Sequence, residues 1–397
     1  MWIITHSATD LGHAAPHSYG PLPPQNQNFA PKGHRSEPLP RLTSRRPPHV
    51  LTSPISAELA RHYDLAPSVE KAAETQALYA RTSRVISPPD WAVFAPYVAE
   101  INRLKKERNA VILAHNYMTP EIYHGVADFV GDSLQLAIKA TEVEEDVIVQ
   151  CGVHFMAETS KVLNPNKTVL IPDPAAGCSL AESITAEGVA QMRAKYPGAP
   201  VVSYVNTTAE VKAASDICCT SSNALQIVNA MDADTVIMTP DKYLAQNVAN
   251  ESPKNVVFWD GSCIVHELYT AEDLRAYRDH DPEVKIIAHP ECTPDVVAEA
   301  DFTGSTKGII DWVHAHKPAK AMLVTECSMA SNIADELPDV DFAKPCNMCP
   351  YMKKITLEKI LWSLHTMSHE VTVDPAVADG ARQAVERMID LSRRLQG

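Results

Sequence analysis

From Asn109 onward the chain alternates short apolar runs with stretches of helical length and mixed polarity. The runs fall at 111–113, 147–149, 169–171, 201–203, 236–238, 256–258, 286–288 and 322–324. Runs this short, rich in Val and Ile and apolar on consecutive positions, predict strands buried on both faces. Their alternation with helical segments predicts parallel sheets in an α/β protein. Upstream, Ser56 to about Arg84 carries a helical pattern with a break at Pro67. Pro88-Pro89 ends it, and Trp91 to Arg108 reads as another amphipathic helix. Prolines recur from Pro16 to Pro54 among scattered His, Asn and Arg. Such a composition does not bury enough apolar surface to order itself, so disorder is expected over 1–55.

Three segments of the α/β part repeat one arrangement. The first reads Ile112-Leu-Ala-His115-Asn-Tyr117, then Ala127-Asp128, then Gly131-Asp132-Ser133. The second reads Val202-Ser-Tyr204-Val-Asn206, then Ser215-Asp216, then Thr220-Ser221-Ser222. The third reads Ile287-Ala-His289-Pro-Glu291, then Ala300-Asp301, then Gly304-Ser305-Thr306. From His115, Tyr204 and His289 to the Asp is 13, 12 and 12 positions, and from the Asp to Ser133, Ser221 or Thr306 is 5 each time. A cysteine follows that hydroxyl residue by 45, 42 and 43 positions: Cys178, Cys263 and Cys349. The expected architecture is three similar α/β domains with short parallel sheets; related by a pseudo-threefold axis, they would bring the three sets of equivalent positions, cysteines included, together in an active site at the centre. The expected segments are the Pro-rich 1–55, N-terminal helices packing on the core over 56–108, repeats at 109–196, 197–280 and 281–365, and a C-terminal helix at 366–397.

Ligands of open α/β sheets bind at the carboxyl ends of strands. The loops there supply His115, Tyr117, Tyr204, Asn206, His289 and Glu291. Ser133, Ser221 and Thr306 each precede an apolar helical stretch and are expected to cap it, leaving backbone N–H groups facing outward to bind a carboxylate or phosphate. Three converging thiolates make a soft metal site. Three cysteines, rather than four, leave one iron of a cluster with an open position. That favours Lewis-acid dehydration over electron transfer.

Composition narrows the field. The 397 residues are 45% hydrophobic and 21% charged, and the formal net charge of −14 argues against nucleic acid as a partner. No run approaches the roughly 20 apolar residues of a membrane span. The start lacks a basic and an apolar region, so no secretory signal is expected and the cytoplasm is the expected compartment. Nine cysteines in a reducing compartment point to metal or catalysis for some of them, and an odd number forbids complete pairing. Cys151, Cys218 and Cys219 read as structural, while Cys292 and Cys327 follow strands and could line a cavity. A different three-cysteine hydro-lyase stays open, as does an iron–sulfur or zinc sensor, zinc being held by three cysteines and His266. Neither a C-x3-C-x2-C motif nor a GxxxxGK[ST] loop is present.

The same residues resemble a known family. Ala-His115-Asn-Tyr117, Gly-Asp132-Ser133, Ala-Gly-Cys178-Ser-Leu-Ala-Glu182, Tyr204-Val-Asn206-Thr-Thr-Ala-Glu-Val-Lys212, Trp259-Asp-Gly-Ser-Cys263-Ile-Val-His266, His289-Pro-Glu291-Cys and Cys349-Pro-Tyr-Met-Lys353 look like quinolinate synthase motifs, from about Asp90 to about His365. The resemblance implies a condensation of iminoaspartate with dihydroxyacetone phosphate to quinolinate, with loss of phosphate and water, in NAD biosynthesis. It implies a [4Fe–4S] cluster on Cys178, Cys263 and Cys349, with Tyr117 and Glu291 as acid–base groups. His115, Ser133, Tyr204, Asn206, Ser221, His289 and Thr306 would contact substrate, and His266 would be a supporting or substrate residue. An aspartate oxidase or dehydrogenase would supply iminoaspartate. The long Pro-rich start has no counterpart in that family. Cys346, in Cys346-Asn-Met-Cys349, is a rival ligand or a redox partner for Cys349.

Overall fold

The computed structural model describes residues 53–396. The expectation for 1–55 therefore lies, apart from its last three residues, outside the described residues. The described chain enters through helices Pro54–His62, Val69–Glu74, Gln76–Tyr79 and Pro88–Glu107. Ser53, Ser68 and Ser87 start three of them by accepting a backbone N–H from the first turn. Pro88-Pro89 opens the long helix rather than closing the earlier one. At the first helical positions the missing N–H costs nothing and the fixed φ already suits a helix.

Among the described residues twelve strands form three four-stranded sheets. The first contains β1 (Ala110–His115), β2 (Phe129–Gly131), β3 (Val147–Cys151) and β4 (Thr168–Leu170) in the order β2-β1-β3-β4. The second contains β5 (Val201–Tyr204), β6 (Ile217–Cys219), β7 (Thr235–Thr239) and β8 (Asn255–Phe258) in the order β6-β5-β7-β8. The third contains β9 (Lys285–Ala288), β10 (Phe302–Thr303), β11 (Lys320–Val324) and β12 (Asp341–Ala343) in the order β10-β9-β11-β12. All pairings are parallel. The fold is thus α/β with three similar units. β1 and β3 are buried along their whole length, which is why they read as unbroken apolar runs. The apolar runs anticipate eight strands. They miss β2, β6, β10 and β12, which have two or three residues each, too few to carry a pattern.

The repeated Asp has a structural task, the same in every unit. Asp128 accepts the Ile112 N–H at 2.8 Å, Asp216 the Val201 N–H at 2.7 Å and Asp301 the Ile286 N–H at 2.9 Å. A basic side chain 23 positions earlier completes each clasp: Lys105 at 2.7 Å, Arg193 at 2.9 Å and Arg278 at 3.0 Å. The clasp ties the first strand of each sheet to the approach to the second. For Asp301, burial raises the carboxyl, but the Ile286 N–H, Lys285 and Arg278 outweigh it and hold it below its ordinary value. A lowered carboxylate stabilises above its unfolded pKa of about 3.9 and loses that contribution as the pH falls through the folded value. Asp301→Asn is accordingly expected to cost about 1 kcal/mol at pH 7, given partial solvent screening. The difference from the parent in urea unfolding should narrow below about pH 4. A difference independent of pH would rule out an ionic clasp.

Helix Pro375–Gln396 closes the chain against the second unit. Asn223 donates to Ser392 Oγ at 2.8 Å and Arg387 to the Asp216 carbonyl at 2.6 Å. Gly380 permits the approach, since a Cβ there would stand 3.1 Å from that of Ala213. The preceding segment covers an edge of the first sheet, with Val371 N–H donating to Val169 O at 2.8 Å and Ile171 N–H to His369 O at 3.1 Å. No described helix is long and apolar enough to cross a membrane.

Candidate active site

The carboxyl ends of the strands meet around a cavity with about 680 Å³ of unfilled space, part of it open to solvent. Each sheet contributes in the same way. Its first strand leads into a residue pair: His115 at the end of β1 with Tyr117 past it, Tyr204 at the end of β5 with Asn206 past it, and His289 and Glu291 after β9. Its second strand leads to Ser133, Ser221 or Thr306, and the segment after its fourth strand brings Cys178, Cys263 or Cys349. All twelve of these residues line the one cavity. Side chains from a neighbouring unit brace two of the loops. Asn332 donates to the carbonyls of Asn116 (2.9 Å) and Met118 (2.8 Å), and Asn247 to those of Pro290 (2.9 Å) and Cys292 (3.0 Å).

The three hydroxyl residues are not the helix caps that their positions suggest. Asp132 caps the helix Ser133–Ala140, in a reciprocal pairing with Gln135, and Ser305 caps Thr306–His316 by accepting the Gly308 N–H. The second-unit helix begins only at Ala224, leaving Ser221 in the turn before it. Because the preceding residue does the capping, the hydroxyls of Ser133 and Thr306 are not committed to their own backbone. Thr306 Oγ1 accepts from Asn116 Nδ2 at 2.8 Å, and Ser221 Oγ lies 3.2 Å from His289 Nε2.

Glu291 is the electrostatic centre. Its carboxylate accepts from Tyr204 Oη at 2.5 Å and meets His266 Nδ1 at 2.8 Å. Burial pushes the carboxyl up, but the His266 and His289 rings and the hydrogen bonds from His266 and Tyr204 outweigh it, so it stays well below the usual carboxylate range. His115 and His289 are pushed down to about 3, chiefly by burial, and are neutral at physiological pH. Burial, reinforced by the Glu291 charge, raises Tyr117 and Tyr204 well above 10, so both phenols keep their protons. The cavity thus pairs an ionised carboxylate with proton-bearing phenols. Asn206 Oδ1 is buried there with no partner among the described residues.

Burial raises Cys178 to about 12 and also raises Cys263 and Cys349. Thiols raised in this way become thiolates beside a positive charge such as a metal. Cys263 Sγ, His266 and Glu291 also offer ligand atoms within 4.8 Å of one another, a candidate metal-holding group. Cys346 is disulfide-bonded to Cys327, with Cα atoms 4.9 Å apart, and neither lines the cavity. Cys346, left open by the sequence as a rival ligand or redox partner for Cys349, stands instead beside Cys327 on the loop after β11. Cys292, also anticipated at the cavity, is buried with Sγ facing the Val324 carbonyl.

The structure adds residues that no motif singles out for their neighbours. Thr325, just past β11, places Oγ1 2.5 Å from Tyr117 Oη and 3.0 Å from His266 Nε2. Glu326, with no exposed surface, pairs with Lys353 at 2.8 Å. Tyr351 lies over Gly177 and donates to Glu182 at 2.9 Å. Thr325-Glu326 was signalled only by its position at the carboxyl end of an apolar run, whereas Glu182, Tyr351 and Lys353 stand within the quoted motifs.

Comparison with known proteins gives this geometry a setting. Residues 99–390 match the family described as quinolinate synthetase A protein. The chain is 60% identical over 330 residues to the quinolinate synthase of Sinorhizobium medicae, covering 83% of this chain and 92% of that protein. It is 57% identical over 331 residues to that of Agrobacterium fabrum, covering 83% and 96%. It is 53% identical over 329 residues to that of Caulobacter vibrioides, covering 82% and 89%. The chain therefore belongs to the quinolinate synthetase A family.

Proposed function

We propose that the protein is a quinolinate synthase of NAD biosynthesis, condensing iminoaspartate with dihydroxyacetone phosphate and releasing phosphate and water. The observation that carries the reading is the convergence of all twelve residues, three thiols among them, on one cavity built from three equivalent units. We place the units at 109–196, 197–280 and 281–365 around a pseudo-threefold axis, between the 56–108 helices and the 366–397 segment. Cys178, Cys263 and Cys349 would hold a [4Fe–4S] cluster, for which three partly buried soft donors on one cavity wall are a suitable set. When bound, the cluster supplies Lewis acidity from its iron that lacks a protein ligand.

The chain's own residues divide the remaining work. Ser133, Ser221 and Thr306 offer hydroxyls, and the helix starts at Ser133 and Thr306 offer backbone N–H groups, to carboxylate and phosphate oxygens. His115 and His289, kept neutral by burial, donate or accept hydrogen bonds without bringing charge. The orphaned Asn206 Oδ1 is an acceptor suited to a substrate N–H. Glu291 removes a proton from substrate carbon, and the protonated Tyr117 gives one to the oxygen that leaves as water. An aspartate oxidase or dehydrogenase in the cytoplasm would supply iminoaspartate.

Anaerobic purification with iron, sulfide and absorbance measurement is the test, followed by a quinolinate assay. The expected result is a brown protein with about four iron and four sulfide per chain, active with both substrates. A colourless protein holding one zinc would instead favour a mononuclear site at Cys263, His266 and Glu291 and overturn the cluster.

A further inference from the structure

The three cavity cysteines open the same kind of turn. Their carbonyls accept the backbone N–H four residues on: Cys178 from Glu182 at 3.0 Å, Cys263 from Glu267 at 3.1 Å and Cys349 from Lys353 at 3.1 Å. The third turn differs in one respect. Among the described residues, only Cys349 of the three has its own N–H met by a side chain, Glu326 Oε1 at 3.4 Å. Glu326 stands just past β11, has no exposed surface and does not line the cavity. Its other oxygen accepts the Ser328 N–H at 2.8 Å. Lys353 Nζ meets Glu326 Oε1 at 2.8 Å and uses its two remaining donors on Ser328 Oγ at 2.6 Å and the Tyr117 carbonyl at 2.8 Å. The two loops also meet through their backbones, Cys327 N–H donating to the Asn347 carbonyl at 3.2 Å.

We propose that Glu326 is a positioning residue for Cys349, holding the backbone of that metal ligand in place and, with Lys353, setting the charge beside its sulfur. The segment from β12 to Met352 contains no helix or strand that could hold Cys349 by itself. A buried carboxylate persists where it is paired and hydrogen-bonded, and every such contact of Glu326 comes from the Cys349 turn or from Ser328. Lys353 belongs to the turn that Cys349 opens. Glu326 therefore grips one turn at both ends, Cys349 by its N–H and Lys353 by its ammonium. Groups that orient a metal ligand without touching the metal change metal affinity by about tenfold to a hundredfold. The charges of the pair also reach the sulfur. Behind the larger effects of burial and of the Met352 and Tyr351 N–H groups, Glu326 raises the Cys349 thiol and Lys353 lowers it. The reduction potential of an iron–sulfur centre follows the net charge around it, so this pair bears on it. The inference rests on the proposed cluster.

Glu326→Met removes both carboxylate oxygens and nearly keeps the length, and Lys353 retains Ser328 and Tyr117 as partners. In the iron-loaded enzyme this variant is expected to release iron to a chelator about tenfold to a hundredfold faster than the parent. Its reduction potential should move to more positive values, since a negative charge beside Cys349 is gone. In Glu326→Met/Lys353→Met both charges are gone and none is left unpaired. The potential of that double variant should return towards the parent's, while iron release stays fast. Release at the parental rate overturns the proposal. Fast release with the potential of Glu326→Met unmoved marks a contact that only supports the fold, and overturns it as well. If Glu326→Met does not fold, the double variant carries the comparison of release rates. A further readout needs no cluster: in the metal-free protein, amide hydrogen exchange over 346–353 should be faster in both variants, and unchanged exchange overturns the proposal. A parent without an iron–sulfur cluster refutes the functional reading instead, and the exchange then still decides whether Glu326 holds the Cys349 turn.

Discussion

Glu291→Gln is expected to keep its iron and to lose turnover by about 10²- to 10⁴-fold, the range that a positioned acid or base contributes. Glutamine has nearly the same shape. Its carbonyl can still accept from Tyr204 Oη, and its amide can meet His266 Nδ1 once that ring takes the tautomer with Nδ1 unprotonated, so the loop after β9 and the brace from Asn247 should stand. What disappears is the ionised carboxylate at the centre of the cavity. In the parent that charge persists although the residue is only 4% exposed, because the surrounding hydrogen bonds and rings outweigh the burial. The measurements are iron per chain and single-turnover quinolinate formation. A glutamine variant as fast as the parent removes Glu291 from the acid–base chemistry. A variant that loses its metal points to Glu291 as a ligand, as the candidate group with Cys263 and His266 allows.

Cys263→Ser is expected to lose most of its iron and all measurable turnover. Serine is a harder donor and keeps its proton under conditions where a metal strips a thiol. Two remaining cysteines are too few donors to keep such a cluster in place. Cys178→Ser and Cys349→Ser should behave alike. Two controls separate loss of a ligand from damage to the fold: Cys292→Ser, whose Sγ faces the Val324 carbonyl, and Cys346→Ser, which breaks only the pair with Cys327. Both should retain iron. Full iron content in Cys263→Ser would falsify its role as a ligand.

Much of the architecture was legible because it is written locally. Buried parallel strands show as consecutive apolar residues, and a threefold repeat shows as recurrent spacing, so the α/β class, the three similar units and the twelve cavity residues could all be picked out from order along the chain. The repeat was also richer than its spacing showed. The basic partners Lys105, Arg193 and Arg278 recur 23 positions before the Asp, each in the last turn of the helix that leads into the first strand of its unit.

Other features depended on three-dimensional neighbours. A Gly-Asp-Ser or Gly-Ser-Thr triplet has two candidate caps, and only the turn geometry decides that Asp132 and Ser305 take the backbone while Ser133 and Thr306 reach the cavity. A C-x-x-C spacing suggests that Cys346 and Cys349 act together, yet the approach of the loop after β11 gives Cys346 to Cys327. Thr325 meets Tyr117, 208 positions away, and Lys353 meets both Glu326 and Tyr117. The sequence by itself determined which residue types stand at the end of each strand, since periodicity and spacing are properties of one segment at a time. Which of those residues touch one another was decided only by the tertiary structure, because a contact between units depends on how separate segments pack and leaves no period in either of them.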